Sequence, residues 1–172
     1  PKEELIHLLK NPSIDWQRLS KMTAYHHIRP VVYEAFRQID FRNDFTENLS
    51  LFSKNQSIRN LVNSHETSSI LAFLNQHNIP ALPYKGSLFL EKLYQNKPLR
   101  ESGDIDIIVA PENALKALKL LLNDGYHLSI INDKPADEFI EQFLKRTQSR
   151  EIGLDKTSKM GVNIHIDFHW GI

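Results

Sequence analysis

The chain has 172 residues, 41% hydrophobic and 24% charged, with 21 basic residues matched by 21 acidic ones and no cysteine. That length holds one domain or two small ones, and the balance is that of a globular rather than a disordered chain. Disulfides, thiolate chemistry and sulfur-ligated zinc are excluded, and a net charge of zero lacks the basic excess of a protein that wraps long duplex nucleic acid.

The first 77 residues read as helical. Glu4 to Lys10 is a short amphipathic helix ended by Asn11-Pro12, and Asp15 suits the cap of a second helix running to about His26. Pro30 fits the first turn of a third, with Val31, Val32, Ala35, Phe36 and Ile39 at helical spacing. From Phe45 to Gln76 no Gly or Pro interrupts the pattern, which predicts one long helix with Leu49, Phe52, Ile58, Leu61, Val62, Ile70, Leu71 and Leu74 on a broad face.

Pro80 marks a change of rhythm. Ala81 to Lys85 reads as a strand, Ser87 to Tyr94 as a helix, and Gly103 to Val109 as a strand. Pro111 to Asp124 is a helix with Gly125 as its C-terminal cap, Tyr126 to Ile131 a strand, and Asp137 to Gln148 a helix. Arg150 to Leu154 and Gly161 to Phe168 close the pattern as two strands joined by a polar turn at Asp155 to Lys159. The expected fold class is α+β: a helical N-terminal unit over 1–77, then a catalytic unit over 78–172 with a mixed sheet.

The chemistry concentrates in that second unit. Asp104 and Asp106 alternate with Ile105, Ile107 and Val109, so both carboxylates project from one side of a strand. Two carboxylates so close repel unless a cation or a proton lies between them. Such hard oxygen ligands suit Mg2+ (or Mn2+), which takes one or two protein carboxylates and completes its shell with phosphate and water. Upstream, Gly86-Ser87 opens a helix whose N-terminal N–H groups can meet phosphate. Lys85 and Arg100 are the nearest basic groups, and Arg100 can grip a phosphate with two hydrogen bonds. Either can equally be a surface charge or a salt-bridge partner for Asp104 or Glu101, and Gly86-Ser87 can merely cap its helix.

Gly-Ser, a helix, then Asp-hydrophobic-Asp-hydrophobic on a strand resembles the signature of the DNA-polymerase-β-like nucleotidyltransferase superfamily. The fuller run of Tyr84-Lys85-Gly86-Ser87-Leu88, Leu93-Tyr94, Leu99-Arg100, Gly103 to Val109, Ala117-Leu118 and Gly125-Tyr126 is similar to its bacterial branch of uncharacterised nucleotidyltransferases. So are His26 to Tyr33 and the closing His165-Ile166-Asp167-Phe168-His169-Trp170. One departure is the 16-residue interval between Ser87 and Asp104, longer than the superfamily's usual pattern.

The resemblance implies transfer of a nucleoside monophosphate from an NTP, with ATP the expected donor, to a hydroxyl of a small molecule, protein or RNA, with release of pyrophosphate. Asp104 and Asp106 would bind metal, and Gly86 and Ser87, with Lys85 and Arg100, would bind the nucleotide. Such chemistry wants a third carboxylate on a neighbouring strand, and Asp167 is the best candidate, as metal ligand or as base. Glu151 and Asp155 are weaker competitors. Members of the resembled family run further at the C-terminal end, so this chain is expected to be shortened there.

Two other classes fit the same residues. One is a nucleotide-binding or antitoxin-like module with little turnover. The other is a metal-dependent hydrolase using His165, Asp167 and His169, which share a face at i, i+2 and i+4; the milder reading has both histidines lining the site against phosphate or Asp167. The adjacent His26-His27 reads as a helix end. Trp16, Trp170 and Tyr94 read as core aromatics rather than base-stacking platforms. No apolar run approaches the ~20 residues that cross a bilayer, and Pro1-Lys2-Glu3-Glu4 is no signal peptide, so a cytoplasmic location is expected.

Overall fold

The computed structural model describes residues 2–85, 99, 101–130, 137–146, 150–158 and 161–171. Gly86, Ser87 and Arg100, and the helix expected over Ser87 to Tyr94, lie outside them. The architecture is α+β, helices with a five-stranded mixed sheet. The chain divides into two compact units, one within Pro1–Ile58 and Leu90–Ser102, the other within Arg59–Phe89 and Gly103–Ile172.

The first unit is built from helices α1 (Lys2–Leu8), α2 (Trp16–Tyr25), α3 (Arg29–Arg37) and the opening turns of α4 (Asp44–Gln76). Asp15 caps α2 by accepting a 2.8 Å hydrogen bond from the Arg18 backbone N–H, and Pro30 occupies the first turn of α3, where its missing N–H costs nothing. The core here is aromatic: Trp16 meets Phe36, Phe41 and Phe45 at ring distances of 6.3, 5.7 and 5.5 Å. Glu101 is held by Arg29 through backbone and guanidinium donors, the shortest at 2.6 Å. His26 ends α2 and the exposed His27 turns the chain at a φ of +53°.

The second unit carries the sheet. Strands β1 (Ala81–Pro83), β2 (Ile105–Val109), β3 (His127–Leu128), β4 (Glu151–Thr157) and β5 (Asn163–Trp170) lie in the order β1-β2-β5-β4-β3. Among the described residues β2 and β5 run parallel, and the pairings β1-β2, β5-β4 and β4-β3 are antiparallel. Helices α5 (Ala114–Asn123), entered through a 3-10 turn at Pro111–Asn113, and α6 (Asp137–Arg146) complete it. Gly125, at a φ of +95°, closes α5 as only glycine does easily.

Alternation sorts the sheet into two faces. Ile105, Ile107, Val109, Ile164, Ile166 and Phe168 are at most 3% exposed and pack with Leu118 and Leu121 of α5 and Leu74 of α4. The opposite face is polar. The last two strands run further than the sequence pattern indicates. Asp155 to Thr157, expected in a turn, pair instead with Asn163 to His165, and beyond them the Ser158 N–H donates to the Val162 carbonyl. That extension places Asp155 on the polar face.

Candidate active site

The register of the central strands sets the site. Asp106 on β2 lies directly opposite Asp167 on β5, so two carboxylates expected on neighbouring strands stand side by side on one face. Asp104 immediately precedes β2, and its charge reaches Asp167, as do those of Asp106 and Glu151. Burial first, and then these three carboxylates, push the Asp167 carboxyl above its usual range despite the opposing pull of His165. Asp106 is 6% exposed, and an ionised carboxylate at such a place demands compensation. Among the described residues its side chain meets His169 Nε2 at 3.2 Å and Lys85 Nζ at 3.5 Å.

The two histidines go to different carboxylates. His169, buried, stands between Asp106 and Glu151, with Nδ1 3.5 Å from Glu151, and meets the Tyr84 ring edge-on at 5.7 Å. His165 directs Nδ1 to Asp155 at 2.6 Å and Nε2 to Asp167 at 3.3 Å. Burial opposes the imidazolium, but the hydrogen bond to Asp155 and the charges of Asp155 and Asp167 outweigh it, so the His165 pKa is raised. Asp155 responds in reverse: burial would raise it, but hydrogen bonds from His165 and Ser129 win and lower it. His165, Asp167 and His169 thus share a face without forming one ligand set.

Gly153 is the residue that sequence reasoning passed over. It pairs with Asp167 across β4 and β5, and a Cβ there would come within 2.8 Å of Ser129 Oγ and 3.1 Å of His165 Cε1. A glycine inside a strand signals such a close approach, and that signal was available beside Glu151. The Asp155–His165 pair was hidden because Asp155 read as a turn residue. Beside Asp106, a cavity of about 200 Å3 is bordered by Tyr84, Lys85, Ile108, Arg150 and His169; it brings in Arg150, unmarked by any motif.

Residues 12–172 match a family model described as an uncharacterised nucleotidyltransferase. The chain belongs to that family. No curated protein matches the sequence. As a nucleotidyltransferase, it has nucleotidyl transfer as its class of chemistry, and no helix among its described residues is long and apolar enough to cross a membrane.

The donor set of this nucleotidyltransferase fits a hard cation. Asp104, Asp106 and Asp167 supply only oxygen, and their crowding leaves the negative charge that raises Asp167. Among the described residues no three His, Cys, Asp or Glu side chains form a ready-made metal cage. An ion such as Mg2+ needs none, because it keeps water and substrate phosphate in its shell and takes one or two protein carboxylates.

Proposed function

We propose that the Asp104, Asp106 and Asp167 face moves a nucleoside monophosphate from an NTP, ATP being the expected donor, to a hydroxyl acceptor in a polymerase-β-like manner. The observation that carries this reading is the direct pairing of Asp106 with Asp167 across the two parallel strands.

Asp104 and Asp106 would hold Mg2+ or Mn2+, and Asp167 would be a further ligand or the base. Held by those carboxylates, such an ion would supply polarisation of the α-phosphate and neutralisation of charge on the leaving pyrophosphate. The acceptor oxygen attacks the α-phosphorus in line, the bond from that phosphorus to the bridging oxygen breaks, and pyrophosphate leaves with the electron pair. The acceptor proton passes to Asp167, whose carboxyl is held above its usual range by burial and then by the neighbouring carboxylates. Lys85, half-exposed at the rim and 3.5 Å from Asp106, can exchange that carboxylate for a phosphate oxygen. Gly86, Ser87 and Arg100 are assigned the remaining nucleotide contacts. The acceptor is a small molecule, a protein or an RNA end, in keeping with the zero net charge and against a long duplex.

Incubation with α-labelled and γ-labelled ATP, Mg2+ and a cell lysate as acceptor source tests this. Label from the α-phosphate should pass to an acceptor while the γ-label appears in pyrophosphate, and Asp106→Asn should abolish both with the fold intact by circular dichroism. Transfer of the γ-label to an acceptor, or full activity in Asp106→Asn, would contradict the reading.

A further inference from the structure

We propose that Arg150, kept in place by the bare Gly171, binds the pyrophosphate portion of the donor nucleotide. This rests on the reading of Asp106 and Asp167 as the carboxylates of the transfer site. Strand order brings two cations to one cavity from opposite sides. Lys85 follows β1, where the Tyr84 N–H donates to the Asp106 carbonyl at 3.0 Å. Arg150 precedes β4, and its own carbonyl accepts from the Trp170 N–H at 2.9 Å. Since β1 and β4 flank the β2–β5 pair, the two side chains border the cavity of about 200 Å3 from either flank. Ile108 and His169, which also border it, are cross-strand partners. They stand two residues beyond Asp106 and Asp167, and so on the same face. A space of that size is below the roughly 300–1,000 Å3 that encloses a whole ligand. It takes a part of one, and its two cations select an anionic part.

Gly171 separates Arg150 from an ordinary surface charge. It has a φ of +83°, and a Cβ there would lie 2.8 Å from Arg150 Nη1 and 3.5 Å from Arg150 Cδ. The guanidinium therefore lies against bare backbone instead of extending into water, and any other residue would both strain the turn and displace it. Among the described residues no carboxylate forms an ion pair with Arg150. Glu151 also borders the cavity, but its Oε2 stands 3.5 Å from His169 Nδ1. Lys85 already faces Asp106 at 3.5 Å. Arg150 is thus the cation of this cavity whose charge is not yet opposed, and its planar fork matches two phosphate oxygens. The α-phosphate belongs beside Asp106 and Asp167, so the anionic group one pleat further along the face is the pyrophosphate. That group gathers negative charge as it leaves, and a fixed cation beside it favours the departure.

Calorimetric titration of the full chain with inorganic pyrophosphate and, separately, with AMP, both in Mg2+, tests the proposal. Arg150→Ala should weaken pyrophosphate binding by about 10-fold or more, the scale of lost hydrogen bonds to a charged group, with AMP binding and the melting temperature unchanged. Arg150→Lys, which keeps the charge but not the fork, should restore only part of the affinity. Gly171→Ala keeps every donor and should also weaken pyrophosphate, yet add no further loss in an Arg150→Ala background, because the two residues act as one unit. Wild-type pyrophosphate binding in Arg150→Ala would overturn the proposal, and so would an equal loss for AMP, which would put the α-phosphate at Arg150. A Gly171→Ala loss that persists without Arg150 would overturn the part given to Gly171. None of these results touches the site reading as long as Asp106→Asn weakens the Mg2+-dependent binding. Pyrophosphate binding that is absent in the wild type, or indifferent to both Mg2+ and Asp106→Asn, would overturn the site reading, and the role of Arg150 with it.

Discussion

His165 meets a carboxylate at each ring nitrogen, so its titration reports the local geometry directly. By nuclear magnetic resonance its pKa should lie above the ordinary 6.5 of a histidine and fall in Asp155→Asn, which keeps the hydrogen bond but removes the charge. The linked stability has a defined sign. His165, raised on folding, contributes below pH 6.5 and loses that contribution as pH rises through its folded value. Asp155, lowered on folding, contributes above pH 3.8 and loses it as pH falls through its folded value. The wild type should therefore exceed Asp155→Asn in stability by most between these limits, and by little outside them; a difference that grows toward alkaline pH would contradict the pairing. Gly153→Ala tests the same patch sterically. Its Cβ would meet Ser129 Oγ at 2.8 Å, and denaturant unfolding should show a loss of about 1–3 kcal/mol, as in other overpacked sites.

Elements differ in how far sequence alone announces them. Asp104, expected in the strand, falls just before β2, whereas Asp106 was legible because strand alternation is a local property, and Asp167 because it repeats that alternation in Ile166-Asp167-Phe168. Their meeting was not legible, since register between β2 and β5 is decided by core packing across a long crossover. Helix α4 shows the limit of hydrophobic periodicity. Leu61 and Ile58, expected on its inner face, are 73% and 46% exposed, while Ser53, Gln56, Asn60, Asn63 and Thr67 are buried. Those five follow a heptad spacing that continues into Ile70 and Leu74, so the buried seam is polar through the middle of the helix. Gln56 donates its amide to the Ser102 carbonyl at 2.6 Å and Thr67 its hydroxyl to the Asn63 carbonyl at 2.7 Å, satisfying groups that would otherwise be costly. Ser53 Oγ and the Asn63 side-chain amide, in contrast, have no hydrogen-bond partner among the described residues. The helical unit has its own test in Arg29, which anchors Glu101, a side chain only 5% exposed. Arg29→Ala leaves that carboxylate buried without its main partner and should cost about 3–5 kcal/mol by chemical denaturation; a loss under about 1 kcal/mol would mean that Glu101 finds water or another donor.

At the scale of the whole molecule, the sheet holds a dry face and a charged face apart, and the chemistry depends on that separation. Phe168, next to Asp167 on β5, is fully buried, so Phe168→Ala should remove about 3–5 kcal/mol of stability and loosen the carboxylate register with it. The overall class, helices first and a mixed sheet after, was legible from the change of rhythm at Pro80 because helix and strand periods differ locally. Strand order was not, because it depends on pairings between residues far apart in sequence. The central claim is that the paired carboxylates form a nucleotide and metal site. The most direct measurement is thermal unfolding with each NTP, with and without Mg2+ or Mn2+, for the wild type and Asp104→Asn/Asp106→Asn. At a ligand concentration ~100 times the dissociation constant, binding adds about 2.7 kcal/mol, several degrees for a chain of this size. The account predicts a metal-dependent rise with ATP in the wild type that disappears in the double variant. A rise of equal size in both proteins would contradict it.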